Sequence, residues 1–296
     1  MASVMKRSLN ILVNLVFYGC LAVVGYLLLQ VFLLVSFKVP TNSMVPEMMP
    51  GDFILVEKLS MGPRLFNVFK ATRLEEVEIF RLPGLRGIRR NDVAVFNFPY
   101  EYGRWDSIRF HVMKYYTKRC IGLPGDTLRI KNGLYQIAGE KGEIGKRSRQ
   151  MEMLLLSDSI LYERYPDPVY PEASAGVGMG WTLKEFGPLP IPKRGQKVRM
   201  DSTAWKLYRQ LVEWEQKRKL TIDDRGVVRL GEGTIQEYTF THDYYFMAGD
   251  NTVSSIDSRF WGLVPDDYIV GRVWRIWKSV DREGKLRWGR IMKKVK

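Results

Sequence analysis

The chain has 296 residues, with 46 Lys and Arg against 32 Asp and Glu, a formal net charge of +14. Hydrophobic residues make up 46% of it and include fifteen tyrosines and eight tryptophans, which excludes a largely disordered chain and requires a folded body. The positive excess suits an anionic lipid surface; no zinc-finger or aromatic RNA-binding pattern argues for nucleic acid as a partner.

In chain order, the first element is an uncharged stretch from Ser8 to Phe37. As a helix it would be roughly 45 Å long, enough to cross a ~30 Å hydrocarbon layer with tilt to spare. Its apolar run is too long for a cleaved signal peptide, and Lys38-Val39-Pro40 is a poor Ala-x-Ala site, so an uncleaved anchor over 8–37 is expected. Lys6 and Arg7 precede the span and Lys38 alone follows closely, which places residues 1–7 in the cytoplasm and the body outside. Cys20 lies in the span and Cys120 in the body, so an internal disulfide is not expected.

About 255 residues remain beyond the anchor, enough for a sizeable core. Strands are predicted at Asp52–Lys58, Asp92–Phe98, Tyr115–Ile121, Thr127–Ile130, Asp243–Ala248 and Tyr268–Trp277, with a hairpin signal at Asn132-Gly133. Leu154–Gly187 is rich in Pro, Gly and Ser and reads as loop. Ser202–Lys219 carries a helix with Ser202 as N-cap and Leu207, Leu211 and Trp214 on one face. The expected architecture is mainly β: an N-terminal transmembrane helix, then an antiparallel catalytic core from 38–130 and 241–280. A β, loop and helix insertion over 131–240 interrupts that core, and a basic tail spans 281–296. The tail mixes positive charge with Leu, Trp, Ile and Met, and reads equally well as a solvated end or a lipid-facing segment.

Three clusters carry the chemistry: Thr41-Asn-Ser-Met-Val-Pro46 with Gly51-Asp52, Lys118–Asp126, and Gly249–Arg259 followed by Trp261–Pro265. Each alone is an ordinary turn. Together, in this order behind an anchor, they resemble the bacterial type I signal peptidases, leader peptidases with a serine–lysine dyad. The resemblance covers the anchor and residues 39–58, 90–98, 114–133 and 243–278. Phe186–Pro192 and Leu286-Arg-Trp288 look like the larger members of Bacteroidetes-type bacteria.

The resemblance implies a serine endopeptidase of the bacterial inner membrane that cuts signal peptides from exported preproteins after an Ala-x-Ala-like site. It implies Ser43 as nucleophile, Lys118 as general base, and Ser255 (with Ser254 as fallback) orienting the lysine. The Ser43 N–H and Thr41 hydroxyl would form the oxyanion hole. Val39, Pro40, Met44, Met48, Tyr116 and Thr117 would line small apolar substrate pockets, with Asp250, Asn251, Asp257 and Arg259 as supports. It implies no cofactor and no metal; preproteins, membrane lipids and the translocation machinery are the expected partners. A lysine near its usual pKa cannot serve as base, so Lys118 must be desolvated, as Tyr116, Cys120 and Ile121 beside it allow. Alternation along a strand would turn Arg119 to the face opposite Lys118.

Two residues depart from the family pattern. Asn42 replaces a common glycine, and Glu47 replaces a common threonine and would add charge near the pocket. Among competing classes, a Ser-His-Asp hydrolase would need His111 or His242 as base, and no metal-hydrolase spacing is present. A catalytically inactive, membrane-anchored paralogue acting as a scaffold is the remaining alternative.

Overall fold

The computed structural model describes residues 2–101, 104–166, 169–170 and 178–296. A 31-residue helix, Ala2–Phe32, opens the chain, and its Leu9–Phe32 portion is apolar enough to cross a membrane. The uncharged stretch is not helical throughout. Leu34–Lys38 is a strand, antiparallel to Asp52–Glu57 with Leu34 opposite Glu57. Hydropathy does not distinguish the end of a span from an apolar strand, and here sheet pairing decides. Only Leu33 separates helix from strand, so no flexible linker intervenes.

The body is mainly antiparallel β. Its principal sheet has seven strands in the spatial order Leu34–Lys38, Asp52–Glu57, Ile269–Ser279, Val93–Asn97, Tyr115–Gly122, Tyr244–Ala248 and Val264–Pro265. Three strands separate the first from the fifth in this order, yet Phe37 and Tyr115 meet with ring centroids 4.8 Å apart. The sheet therefore curls until these two strands face each other across a gap.

All five residues of Val93–Asn97 are buried, so this central strand is covered on both faces. Val93 and Val95 join Val39, Met44, Met48 and Val273 in a small core, whereas Ala94 and Phe96 join Cys120, Phe246 and Trp261 in the large one. The register pairs Ala94 with Lys118 and Val93 with Arg119. Facing residues in an antiparallel pair share a side of the sheet, so Lys118 points toward the large core and Arg119 away from it.

A three-stranded sheet of Leu134–Ile137, Thr127–Lys131 and Phe186–Pro190 begins the inserted region. Asn132 and Gly133, both at positive φ, make its tight turn. The segment read as loop from Leu154 contains helix: Arg147–Leu155 and Asp158–Arg164, the second capped by Ser157. Residues 165–166, 169–170 and 178–185 are loop as expected, Phe186 and Gly187 begin a strand, and 167–168 and 171–177 lie outside the described residues. The larger helix spans Ser202–Gln216, but its N-cap is Asp201, whose side chain accepts from Ala204 N, not Ser202. It ends where Lys217 takes the left-handed conformation.

The basic tail is not a loose solvated end. Its backbone bonds back onto the final strand (Arg287 N to Ser279 O, Ile276 N to Lys293 O, Val295 N to Trp274 O), and Val295 enters the small core.

Glu215 ties the inserted helix to the core. Its buried carboxylate accepts from the Tyr238 and Tyr244 hydroxyls at 2.6 and 2.8 Å and from Thr241 N and His242 N. Burial alone would raise its pKa; the hydrogen bonds outweigh burial and bring it to about 2. Replacing Glu215 with Ala should lower the unfolding free energy at pH 7 by about 3–5 kcal/mol. The carboxylate's contribution is complete above its unfolded pKa of 4.5 and fades as pH falls toward about 2, so the two proteins should converge on acidification. Urea melts at pH 7 and pH 3 measure this; a loss below ~1 kcal/mol at pH 7 would mean that the tyrosines find other partners.

Candidate active site

The curl brings the three clusters together. Ser43 sits in a turn bracketed by Val39, whose N–H bonds Asp52 O and whose carbonyl accepts from Gly51 N. Asp52 closes this turn by accepting from Met49 N, the Ser279 hydroxyl and the Arg290 guanidinium of the tail. The Ser43 carbonyl accepts from Asn251 N at 3.0 Å, and the Asn42 carbonyl from Asn251 Nδ2 at 3.2 Å. The third cluster thus lies directly against the serine. Gly249 permits this approach: a Cβ there would stand 2.2 Å from Ser255 Oγ and 2.6 Å from Ser43 O. No other residue fits at 249 without displacing the loop.

Lys118 is only 3% exposed, and its ammonium donates to Ser255 Oγ at 2.9 Å. Two carboxylates stand near it, and each is already held. Arg119 grips Asp250 through two bonds of 2.5 and 2.6 Å. Arg259 grips Asp257 at 2.8 and 2.9 Å and also donates to the carbonyls of Thr252 and Ser255, fixing the loop that carries Ser255. Asp257 in turn accepts from Gly249 N. Burial lowers the Lys118 pKa from 10.5 to about 8; Arg259 pushes the same way, while Asp257 and Asp250 resist. An amine in this range offers a neutral lone pair near neutral pH.

Ser43 Oγ lies 3.3 Å from Thr41 Oγ1, and among the described residues it makes no hydrogen bond to Lys118. Among the described residues its backbone N–H likewise has no partner. Both residues line a single cleft of about 820 Å³, together with Val39, Pro40, Met44, Tyr116 and Thr117. Ser254 also lines it, while Ser255 lies beneath, on the amine. Met48, expected in this lining, is fully buried in the small core behind it. Phe37, Lys38, Met113, Tyr115 and Ile256 line the cleft and were not singled out from sequence; only the curl reveals them.

Two strand edges face this cleft. Leu34–Lys38 is an edge strand that, among the described residues, pairs with Asp52–Glu57 alone. The register of Tyr244–Ala248 against the Tyr115–Gly122 strand ends at Arg119, and the Tyr115–Lys118 segment beyond it lines the cleft. The site therefore presents two strand segments to an extended peptide.

The departures from the family pattern are accommodated. Asn42 does not take a positive φ, so the missing glycine costs no backbone strain. Glu47 does not charge the cleft: it is buried elsewhere, paired with Lys146 at 2.8 Å and accepting from Lys296 N. Neither His111 nor His242 lines the cleft. His242 lies between Glu215 and Asp267, and with Asp266 and Asp267 forms a group whose spacing fits a metal ion. Asp266 there is paired with Arg194, so this cluster is built as an ion-pair network.

Residues 10–277 match a protein-family model described as signal peptidase, peptidase S26. Signal peptidase I of Pseudomonas aeruginosa PAO1 is 29% identical over 264 residues, covering 86% of this chain and 68% of that protein. Signal peptidase I of Buchnera aphidicola (Acyrthosiphon pisum strain APS) is 26% identical over 262 residues, covering 86% and 71%. That of Helicobacter pylori J99 is 26% identical over 293 residues, covering 91% and 88%.

A buried lysine with a depressed pKa costs stability wherever it is protonated in the fold. Lys118→Met should therefore stabilise the protein by about 2–3 kcal/mol at pH 6. Between about 8 and 10.5 the unfolded state binds the extra proton, so wild-type stability rises with pH and the advantage of the variant shrinks. Denaturant melts of both proteins at pH 6 and pH 10 check this; a variant less stable at pH 6 would contradict it.

Proposed function

Because the chain belongs to the signal peptidase family, peptidase S26, it is a serine endopeptidase that removes signal peptides, and we propose that it does so with a Ser43–Lys118 dyad. The observation that carries the assignment is the Lys118 amine, buried on Ser255 and denied a carboxylate partner, in the same cleft as Ser43. Substrate binds as an added strand between residues 39–43 and the Tyr115–Lys118 segment that lines the cleft. This seats the scissile carbonyl over Ser43 and excludes water. On seating, the Ser43 hydroxyl turns from Thr41 to Lys118; catalytic contacts of this kind tighten only in the substrate complex.

Neutral Lys118 takes the Ser43 proton as Oγ bonds to the carbonyl carbon. The resulting oxyanion accepts from the free Ser43 N–H and the Thr41 hydroxyl. Collapse breaks the C–N bond, and the Lys118 ammonium returns its proton to the departing amine. The ester left on Ser43 is then attacked by a water that Lys118 deprotonates; collapse breaks the bond from the acyl carbon to Ser43 Oγ, which takes the proton back from Lys118, and the released carboxylate ends the signal peptide. The apolar lining from Val39, Met44 and Tyr116 suits small residues at the first and third positions before the cut, as in Ala-x-Ala.

The Leu9–Phe32 helix supports membrane anchoring. We assign the N-terminus to the cytoplasm, the body to the outer side of the bacterial inner membrane, and lipids and the translocation machinery to its surroundings.

Ser43→Ala and Lys118→Ala should each lower preprotein cleavage at least about a thousandfold, with the double variant no worse than either single. Lys118→Arg should be equally inactive, because a guanidinium stays protonated. For the wild type, kcat/KM should rise about tenfold per pH unit up to about 8 and then level off as the amine becomes neutral. Cleavage of one preprotein, with N-terminal sequencing of the product, measures all of these. Substantial cleavage by folded Ser43→Ala protein would refute the dyad.

A further inference from the structure

The end of the apolar helix is strapped to the catalytic sheet through one side chain. The last four carbonyls of a helix have no partners within it and otherwise require water or a cap. Here Leu29 O takes Leu33 N, while the Lys58 ammonium reaches Gln30 O at 2.7 Å and Val31 O at 3.2 Å. Lys58 N also donates to Leu33 O at 2.9 Å. Residue 58 thus holds the helix end from both its backbone and its side chain, and its charge sits at the negative end of the helix dipole. The neighbouring carboxylate does not compete, because Glu57 is taken by Arg272 at 2.8 Å and by Ser60.

The path onward to the nucleophile is bonded along most of its length. Leu34–Lys38 pairs residue by residue with Phe53–Glu57, Val39 is tied to Asp52 and Gly51, and the Asn42 and Ser43 carbonyls are held by Asn251. From Phe32 to Val39 the chain therefore runs as one braced piece, and it is held again at Asn42 and Ser43. The five strand residues at ~3.4 Å each carry it roughly 17 Å along the strand.

We propose that Lys58 is a positioning residue: by clamping the helix end to the sheet it fixes the height and tilt of the cleft over the bilayer, so that the enzyme selects bonds by their distance from the membrane. This rests on the proposed function, and its substrate is a preprotein still anchored in the same bilayer. A tethered catalytic body would sample many heights and accept many spacings. A clamped one accepts few.

The test uses the full-length protein in liposomes of neutral lipid, with two substrates: a soluble peptide spanning the cleavage site, and a membrane-inserted preprotein series with that site moved outward by one, two or three residues. Wild type should cut the series with a sharp optimum. Lys58→Met should cut the soluble peptide at nearly the wild-type rate. It should cut the best-spaced preprotein about tenfold to a hundredfold more slowly, as misplacement by an ångström or so does, and should flatten the optimum. Lys58→Arg, which keeps charged donors at the helix end, should restore both rate and optimum. Inserting Gly-Gly between Leu33 and Leu34 provides a second loosened variant and should behave as Lys58→Met does.

An unchanged spacing profile in both loosened variants would overturn the proposal. So would an equal loss on the soluble peptide and the preprotein, which would make the strap a matter of folding alone. If wild type itself cut the preprotein without dependence on Ser43, the functional assignment would fail instead, so the two failures are distinguishable.

Discussion

The site depends on keeping an amine buried while denying it a carboxylate. A lysine in a protein interior ordinarily takes an acidic partner, and that pairing would keep it protonated. Here the two nearby carboxylates are each claimed by a guanidinium, Asp250 by Arg119 and Asp257 by Arg259, leaving Lys118 a neutral hydroxyl on Ser255. Arginine suits this task because its planar fork binds both carboxylate oxygens and it does not give up its proton. The strand register contributes as well. It sends Lys118 and Arg119 to opposite faces of one strand, so neighbouring residues separate a base from the cation that disarms its competitor.

Much of the remaining structure braces these pairs. Arg119 donates to the carbonyls of Asn91 and Lys296, which brings the basic tail beneath the catalytic strand. Arg290 of the tail holds Asp52 and the Glu47 carbonyl, closing the turn that carries Ser43. From the inserted region, Lys146 pairs with Glu47, Arg149 donates to Asn251 at 2.6 Å, and Arg164 and Tyr165 donate to the Val253 carbonyl. The insertion and the tail thus both press on the two loops that present Ser43 and Ser255. Several of the positive charges that dominate the composition are spent on carbonyls and carboxylates inside the fold and are not left to the surface.

The core was legible where chemistry is local. Residues rich in β-branched and aromatic side chains announced strands at Asp52–Lys58, Asp92–Phe98 and Tyr268–Trp277, which form at Asp52–Glu57, Val93–Asn97 and Ile269–Ser279, and the Asn132-Gly133 turn announced its hairpin. Contacts between distant segments were not legible. The uncharged run to Phe37 hid a change from helix to strand at Leu33, because what makes residues 34–38 a strand is their partner twenty residues on. Ser202 looked like a cap, but Asp201, one place earlier, supplies the acceptor. Met48 and Glu47 lie in a motif that faces the cleft, yet the turn sends one into the small core and the other to Lys146. The lining residue Met113 belongs to no motif, and Ile256, though inside the third cluster, carries no chemical signal of its own; the curl of the sheet brings both to the cleft of Ser43.

The central claim is that burial without an acidic partner lowers the pKa of Lys118 enough to give it a usable neutral fraction near neutral pH. Its side-chain nitrogen can be followed directly by NMR in the full-length protein, labelled with ¹⁵N-lysine, in lipid nanodiscs, with the signal assigned by its loss in Lys118→Met. The account predicts a titration centred at about 8. A Lys118 signal that titrates at its ordinary 10.5 would contradict it, since the amine would then be charged under working conditions and unable to take the proton of Ser43.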